Sequence, residues 1–364
     1  MNELEQARLT INEIDKEMAT LFERRMRASE KVADFKKEKG LPIFDAAREK
    51  EIISEGSKQI EDLVLREYYV NFLKETMNIS KQYQSRLIEG MKVAYCGTEG
   101  AFAHIATKKI FPNAISVAFS DFQSVYEAVE KGECDAAVLP VENSYNGEVG
   151  QVTDLLFSGS LYINGMYELA VSHDLMGTQD STIDDIKDVI SHPQALGQCS
   201  NYIRANGLTP HEFTNTALAA KHVSERGDKT VAAIASQEAA EIFGLKVLAR
   251  NINESRSNTT RFAVLSRSEN IPYSSNMDVY SVLLFTVKHQ AGALAKALDI
   301  IGAYGFNMRT LRSRPMKELL WQYYFYIEIE GNIHGEDGKE MLRGLAACCD
   351  RIKSAGTFTK QEQN

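Results

Sequence analysis

An arginine interrupts an otherwise apolar heptad seam at the start of this chain. Leu4, Ile11, Met18 and Val32 recur at intervals of seven with Arg25 in the same series, and Ala7, Ile14, Leu21, Ala28 and Phe35 fill the position three residues later. The pattern predicts one long helix. Asn2 with Glu5 can cap its start, and Gly40 before Pro42 ends it, giving roughly 36 residues or ~54 Å. No small domain buries that length alone. A guanidinium on the apolar stripe of such a helix needs an anion, because removing one partner of a buried pair costs about 3–5 kcal/mol. Either a protein carboxylate or an anionic ligand must meet Arg25.

In the heptad frame Arg8 and Lys36 share a position flanking the seam, so three cations line one edge of the helix. Arg25 and Lys36 are separated by about 16 Å of axial rise, and Arg8 stands about 25 Å from Arg25. Arg8 therefore serves a ligand bound elsewhere or shared with a second chain. Asp45 caps a second predicted helix that runs to about Glu55, Gly56-Ser57 breaks the pattern, and a third helix spans roughly Ile60 to Ile88. Asp45, Arg48 and Glu49 stand at i, i+3 and i+4 on the second helix, and Ser80 and Gln84 at i and i+4 on the third. Together with the first helix they predict a polar, cation-rich pocket. Solvated salt bridges explain Arg8 or Lys36 taken singly, but not an arginine on the seam.

At 364 residues the chain is long enough for two or three domains. Forty-one Lys and Arg against 50 Asp and Glu leave a net charge of −9, which argues against nucleic acid or an acidic membrane surface as partner. Any anion site is local. The opening Met1-Asn2-Glu3-Leu4-Glu5 has neither the basic nor the apolar region of an export signal, and no run of eighteen apolar residues occurs, so a cytoplasmic protein is expected. The five cysteines lack metal-ligand spacing and are expected to be reduced, with no metal bound.

At Gly90 the period changes. Strands are predicted at 92–95, 116–119, 136–140, 167–171, 188–192, 231–235 and 260–265, alternating with helical stretches as in a doubly wound α/β domain. Polar groups gather at the strand ends: Glu142-Asn143-Ser144, His192-Pro193-Gln194 and Thr214-Asn215-Thr216. Such turns offer free backbone N–H groups, and crevices at carboxyl edges of open sheets suit a small dianion. N-capping accounts for any one of them. Asn258-Thr259-Thr260-Arg261-Phe262 is different, since it brings two hydroxyls and an arginine to the entry of a final strand. Residues 268–278, rich in Ser and Asn, form a linker to a βαββαβ unit: strand 279–287, helix 291–304, strands 307–313 and 321–330, helix 334–349 and a short strand near 357.

The helical segment resembles the AroQ class of chorismate mutases, intertwined helical dimers. Arg8, Arg25, Lys36, Asp45, Arg48, Glu49, Ser80 and Gln84 each fall on a family active-site position, and the resemblance assigns Arg8 to the partner chain's site. It implies rearrangement of chorismate to prephenate, with Arg8, Arg25 and Arg48 holding carboxylates and hydroxyls, Lys36 and Gln84 donating to the ether oxygen, and Glu49 accepting a hydroxyl. Neither nucleophile nor cofactor is required.

Residues 91–267 resemble prephenate dehydratase, a fold of two lobes like the periplasmic binding proteins. The motifs are Val141-Glu142-Asn143-Ser144 with Gly147, His192-Pro193-Gln194 extending to Gln198-Cys199, and Thr260-Arg261-Phe262. Asn143, Gln198 and Thr260 fall on the family's functional positions, Thr260 as donor to the departing ring hydroxyl, with Ser144 and Arg261 expected at the substrate and Arg261 and the turn amides holding its carboxylates. Ala101, Ala103 and Met166 depart from the usual hydroxyl and Glu residues, and the Gly-rich turn at Gly97 lacks a full GxGxxG, so no nucleotide cofactor is implied. The last unit resembles a ferredoxin-like ACT domain, with Gly292-Ala293-Leu294, Asn307 and Ser313-Arg314-Pro315 expected to bind an effector, phenylalanine. Within this resemblance Arg312 stands where dehydratases carrying such a domain usually have Glu.

The resemblances together imply a multidomain, bifunctional enzyme of phenylalanine biosynthesis: a mutase domain at 1–89, a dehydratase domain at 91–267 and a regulatory domain at 279–360, assembled as a homodimer or higher homo-oligomer. Two rivals stand beside it, an arogenate dehydratase fused to a mutase and a non-catalytic anion sensor.

Overall fold

The computed structural model describes residues 2–255, 257–271, 279–316 and 322–359. The chain divides into two compact units, Met1–Lys92 and Val93–Asn364. Among the described residues no helix is long and apolar enough to cross a membrane.

The first unit is three helices, each started by a side-chain cap. In α1 (Glu3–Lys39) Asn2 and Glu5 form the expected reciprocal cap, and Gly40 ends the helix in the left-handed conformation at φ 62°. Asp45 caps α2 (Ala46–Ser57), and Asp62 caps α3 (Leu63–Glu89), which is why the third helix begins after Ile60. Gly56 does not break α2. It is buried against Leu73 and Tyr69 of α3, where a methyl group would collide with Leu73.

Two faces of α1 behave differently. Ser29 and Ala33 are buried and Arg25, Met26 and Lys36 are half-buried, so the face following Arg25 is the one that meets α3. The heptad seam is exposed within the chain, Leu4, Ile11, Ile14, Leu21 and Phe35 each being more than half accessible. Arg25 thus lies where the seam borders the packed face rather than inside a buried stripe, which corrects the sequence expectation.

The second unit holds three sheets. The first runs Ile115–Phe119, Lys92–Cys96, Ala136–Asn143, Thr259–Ser266, Tyr162–Ala170, with the short Gly147–Glu148 beside Ala136–Asn143. The second runs Lys246–Ala249, Asp174–Gly177, Val231–Ala235, Asp188–Ser191, Thr209–Glu212. These two sheets are the two lobes that the family resemblance implies, where strand rhythm alone suggests one doubly wound domain. Four strands lie outside the sequence prediction, the two-residue Gly147–Glu148 and the four-residue Asp174–Gly177, Thr209–Glu212 and Lys246–Ala249. The chain leaves the first lobe after Tyr162–Ala170 and returns as Thr259–Ser266, antiparallel to both neighbours, and this return sets Thr260 opposite Asn143.

The third sheet has the expected βαββαβ order, with strands Asn307–Pro315, Tyr323–Glu330, Val279–Val287 and Cys349–Thr359 side by side and helices Ala293–Ala303 and Glu336–Ala346. Its last strand is eleven residues long rather than short. Alternation along Val279–Val287 divides two cores: Leu283 and Phe285 pack with Ile301, Met341 and Leu345 of the helices, while Val282 and Leu284 pack with Leu139, Leu161 and Ile163 of the first lobe. The C-terminal sheet and the first lobe share one apolar core. Of the expected linker, residues 272–278 lie outside the described residues, as does residue 321 at the start of the expected strand 321–330 and residue 360 at the expected domain end.

Candidate active sites

In the helical unit the structure gathers Arg25, Ser80, Gln84 and Lys36 along the α1–α3 face. Arg25 donates to the Ser80 hydroxyl and, at 3.3 Å, to the Thr76 carbonyl. No carboxylate pairs with it among the described residues, and partial burial lowers its pKa. Gln84 donates to Ser29 Oγ at 3.1 Å, while its own Oε1 is buried with no hydrogen-bond partner among the described residues. Lys36 Nζ rests on the Ile43 carbonyl at 2.5 Å. A cation without a counter-ion and an amide oxygen without a donor stand on one packed face.

The remaining predicted groups are less gathered. Glu49 is held by Lys81 at 2.8 Å, Arg48 pairs with Glu51 at 2.6 Å on the surface, and Asp45 is committed to the Arg48 backbone as a cap. Arg8 is exposed near the far end of α1.

In the two-lobed unit, Asn143, Thr260 and Gln198 meet in one hydrogen-bonded chain. The Tyr145 and Asn146 backbone N–H groups donate to Asn143 Oδ1 at 3.0 and 2.9 Å. Asn143 Nδ2 donates to Thr260 Oγ1 at 2.9 Å and to Asn258 Oδ1 at 2.8 Å. Asn258 Nδ2 then donates to Gln198 Oε1 at 3.0 Å, and the same oxygen lies 2.9 Å from His173 Nε2. The path joins residues of both lobes. Asn258 and His173 are each only 3% exposed, and the sequence reading passed over both as functional groups. Asn258 was visible at the head of the final-strand motif. His173 had no signal beyond its place just after a strand.

Burial lowers the His173 pKa, against opposing contributions from the Gln198 hydrogen bond and the Asp174 charge. His192 lies outside this chain of contacts, and its Nδ1 caps its own helix by accepting from the Gln194 backbone at 3.2 Å. Burial pushes the Cys199 thiol up to about 12, which leaves it unreactive.

Two expected substrate contacts are corrected. Arg261 follows Thr260 on the strand, so its side chain takes the opposite face, where Glu328 of the C-terminal sheet meets it at 3.1 Å and Glu142 at 3.6 Å. Burial opposes its charge, but the Glu328 hydrogen bond and charge outweigh it and raise the pKa. Its role is to join the first lobe to the C-terminal sheet. Ser144 Oγ donates to the Ser257 carbonyl and accepts from the Thr259 backbone, tying two strand ends together.

The expected effector residues do not form one site within a chain. Gly292, in the left-handed region at φ 81°, starts the helix containing Ala293 and Leu294, and Leu294 borders a cavity of about 410 Å³ with Lys288, His289, Tyr323 and Asp350. Asn307 bonds Glu330 at the other end of the sheet, opposite Tyr280, roughly 20 Å away by strand rise. Arg314 is held by Asp154 at 2.8 Å beside Glu148, which raises its pKa, so it belongs to the contact with the first lobe. Ser313 is exposed, and Pro315 borders a different cavity of about 540 Å³ with Phe157 and Tyr324.

The fold and these two polar centres define a multidomain enzyme, one centre on packed helices and the other where two α/β lobes are joined. Residues 7–85 match the family model "Chorismate mutase type II", and residues 93–270 match "Prephenate dehydratase". A bifunctional chorismate mutase/prephenate dehydratase of Aquifex aeolicus is 31% identical over 99% of both chains. An Arabidopsis thaliana arogenate dehydratase/prephenate dehydratase is 34% identical over 74% of this chain and 72% of its own. A prephenate dehydratase of Arthrobacter aurescens, solved in complex with L-Phe, is 25% identical with a TM-score of 0.69, covering 74% of this chain and 90% of its own. The chain belongs to the family of bifunctional chorismate mutase/prephenate dehydratases.

Proposed function

We propose that the helical unit rearranges chorismate to prephenate and that the two-lobed unit converts prephenate to phenylpyruvate, in the cytoplasm, under inhibition by phenylalanine acting on the C-terminal βαββαβ unit as an ACT domain. The observation that carries the first activity is Arg25, a partly buried guanidinium with hydrogen-bond partners but no carboxylate. A dicarboxylate ligand supplies the missing charge. The rearrangement is unimolecular, so holding a compact conformer and stabilising the charge that builds on the ether oxygen are sufficient.

Lys36 and Gln84 are the donors to that oxygen. Turning the Gln84 amide over points its N–H groups at the ligand and lets Ser29 donate to the orphaned Oε1. Glu49 would exchange Lys81 for a substrate hydroxyl, and Arg48 would exchange Glu51 for a substrate oxygen. Arg8 reaches a site only in a second copy. The exposed seam of α1 supplies an apolar face for such a homodimer, the intertwined form included.

For the second activity, Thr260 Oγ accepts from Asn143, which leaves its hydrogen for the departing ring hydroxyl. As the bond from ring to carboxylate breaks, its electron pair enters the ring, carbon dioxide departs, and the hydroxyl leaves as water once protonated. Aromatisation drives the step. Backbone N–H groups of the turns hold the carboxylates, Arg261 being engaged elsewhere. Arogenate differs from prephenate only in its side chain, and the Arabidopsis relative's name makes it the second substrate to compare.

The test supplies chorismate to purified protein and follows prephenate and phenylpyruvate separately. Arg25→Ala is expected to reduce prephenate formation by about 10²–10³-fold, while Thr260→Ala lets prephenate accumulate unconsumed. Normal mutase turnover in Arg25→Ala would show that the helical site is misassigned.

A further inference from the structure

The chain of contacts from Asn143 to His173 has a single possible hydrogen-bond polarity. It is anchored where no choice exists, since the backbone N–H groups of Tyr145 and Asn146 can only donate, so the Asn143 atom they meet is the amide oxygen. Asn143 must then offer its NH₂ group onward, to Thr260 Oγ1 and Asn258 Oδ1. With its oxygen accepting, Asn258 turns its own NH₂ group to Gln198, which presents Oε1. That oxygen faces two nitrogens, and His173 must donate to it from Nε2. The opposite imidazole nitrogen, Nδ1, is buried and has no hydrogen-bond partner among the described residues, so the neutral Nε2–H ring is the form the site accommodates.

Two groups are left uncommitted by this directionality. Thr260 has accepted a hydrogen bond and keeps its own hydrogen to give. The amide nitrogen of Gln198 has no partner among the described residues. Both are donors, as expulsion of hydroxide and binding of a dianion require.

We propose that Asn258 and His173 are positioning residues of the dehydratase site, fixing Asn143 and Gln198 in the one orientation that leaves Thr260 O–H and Gln198 N–H₂ to face the substrate. The inference rests on the dehydratase reading above and extends it to two side chains that need not touch the substrate. Neither acts alone. His173 orients Gln198 from one lobe, and Asn258 ties that amide to Asn143 on the other.

The decisive comparison is His173→Gln with His173→Asn in the full-length protein. A glutamine carries its amide nitrogen near the place of Nε2, whereas an asparagine is too short to reach Gln198. The expected result is dehydratase kcat within several-fold of wild type for His173→Gln and a roughly hundredfold loss for His173→Asn, with the larger change in kcat rather than KM. Asn258→Asp, which cannot donate to Gln198, is expected to behave like His173→Asn. Mutase turnover in the same samples should be unchanged, and nitrogen NMR of the His173 ring should show Nε2–H at neutral pH. Equal losses in His173→Gln and His173→Asn, or an Nδ1–H ring, would overturn the proposal. So would wild-type kcat in His173→Asn beside an inactive Thr260→Ala, which leaves the site reading standing. Full activity in Thr260→Ala would overturn both.

Discussion

Individual side chains carry the chemistry here through which partner they lack. Among the described residues Arg25 lacks a carboxylate, Gln84 Oε1 lacks a donor and His173 Nδ1 lacks a hydrogen-bond partner, and each lies at a proposed site. The two buried imidazoles also make a pH prediction. Burial is the leading cause lowering the pKa of both His104, where Glu99 opposes and Lys108 assists, and His173, where the Gln198 hydrogen bond and Asp174 oppose. Between these lowered values and the ordinary value of about 6.5 the unfolded chain binds more protons than the folded one. Their contribution to stability is therefore complete above that ordinary value and shrinks as pH falls through the window beneath it. Denaturant unfolding of the wild type and His173→Gln across pH 7.5 to 5 checks this, the variant being expected to lose less stability on acidification. Asn143 and Thr260 were legible from their motifs. Arg261, equally legible, was misplaced because a motif does not say which face of a strand a residue takes.

Elements explain that misplacement. Thr260 and Arg261 are adjacent on one strand, and Asn143 and Glu142 on the next, so alternation sends one pair to the site and the other to the C-terminal sheet. Arg312 continues the charge run, reaching Glu142 at 2.5 Å and lying over the Tyr326 ring. The residue that departs from the usual Glu thus grips the neighbour of Asn143. Arg312→Glu sets like charges together there, and dehydratase kcat is expected to fall several-fold while mutase turnover holds, as paired assays would show. Removing the buried Glu328 leaves Arg261 only its longer contact with Glu142, and Glu328→Ala is expected to cost about 3 kcal/mol in the unfolding of this unit, read by denaturant titration. Gly356 marks another contact between the same parts. At φ 136° it lets the last strand cross the backbone of Ile163, which a methyl group would strike. Gly356→Ala should cost about 1–3 kcal/mol, measurable as a lowered Tm.

Taken whole, the chain is two compact units, with one proposed site in each. The exposed α1 seam is expected to make the helical unit depend on a second copy. Ile14→Glu with Leu21→Glu should abolish that pairing in light scattering and reduce mutase activity, with dehydratase activity retained. The length and both caps of the first helix, the Asp45 cap, the change of period at Gly90 and the βαββαβ order could be read from local pattern, because caps and periodicity are properties of neighbouring residues. The division into two lobes came from the family resemblance and not from local pattern, and the exposure of the seam, the opposed faces of Thr260 and Arg261 and the recruitment of His173 and Asn258 could not be read at all. These depend on which strands pair after the chain returns through the second lobe, and on contacts between residues far apart in sequence, as with Asn143 and Thr260. Local spacing does not encode such pairings; only the packing of complete sheets and shared cores decides among them.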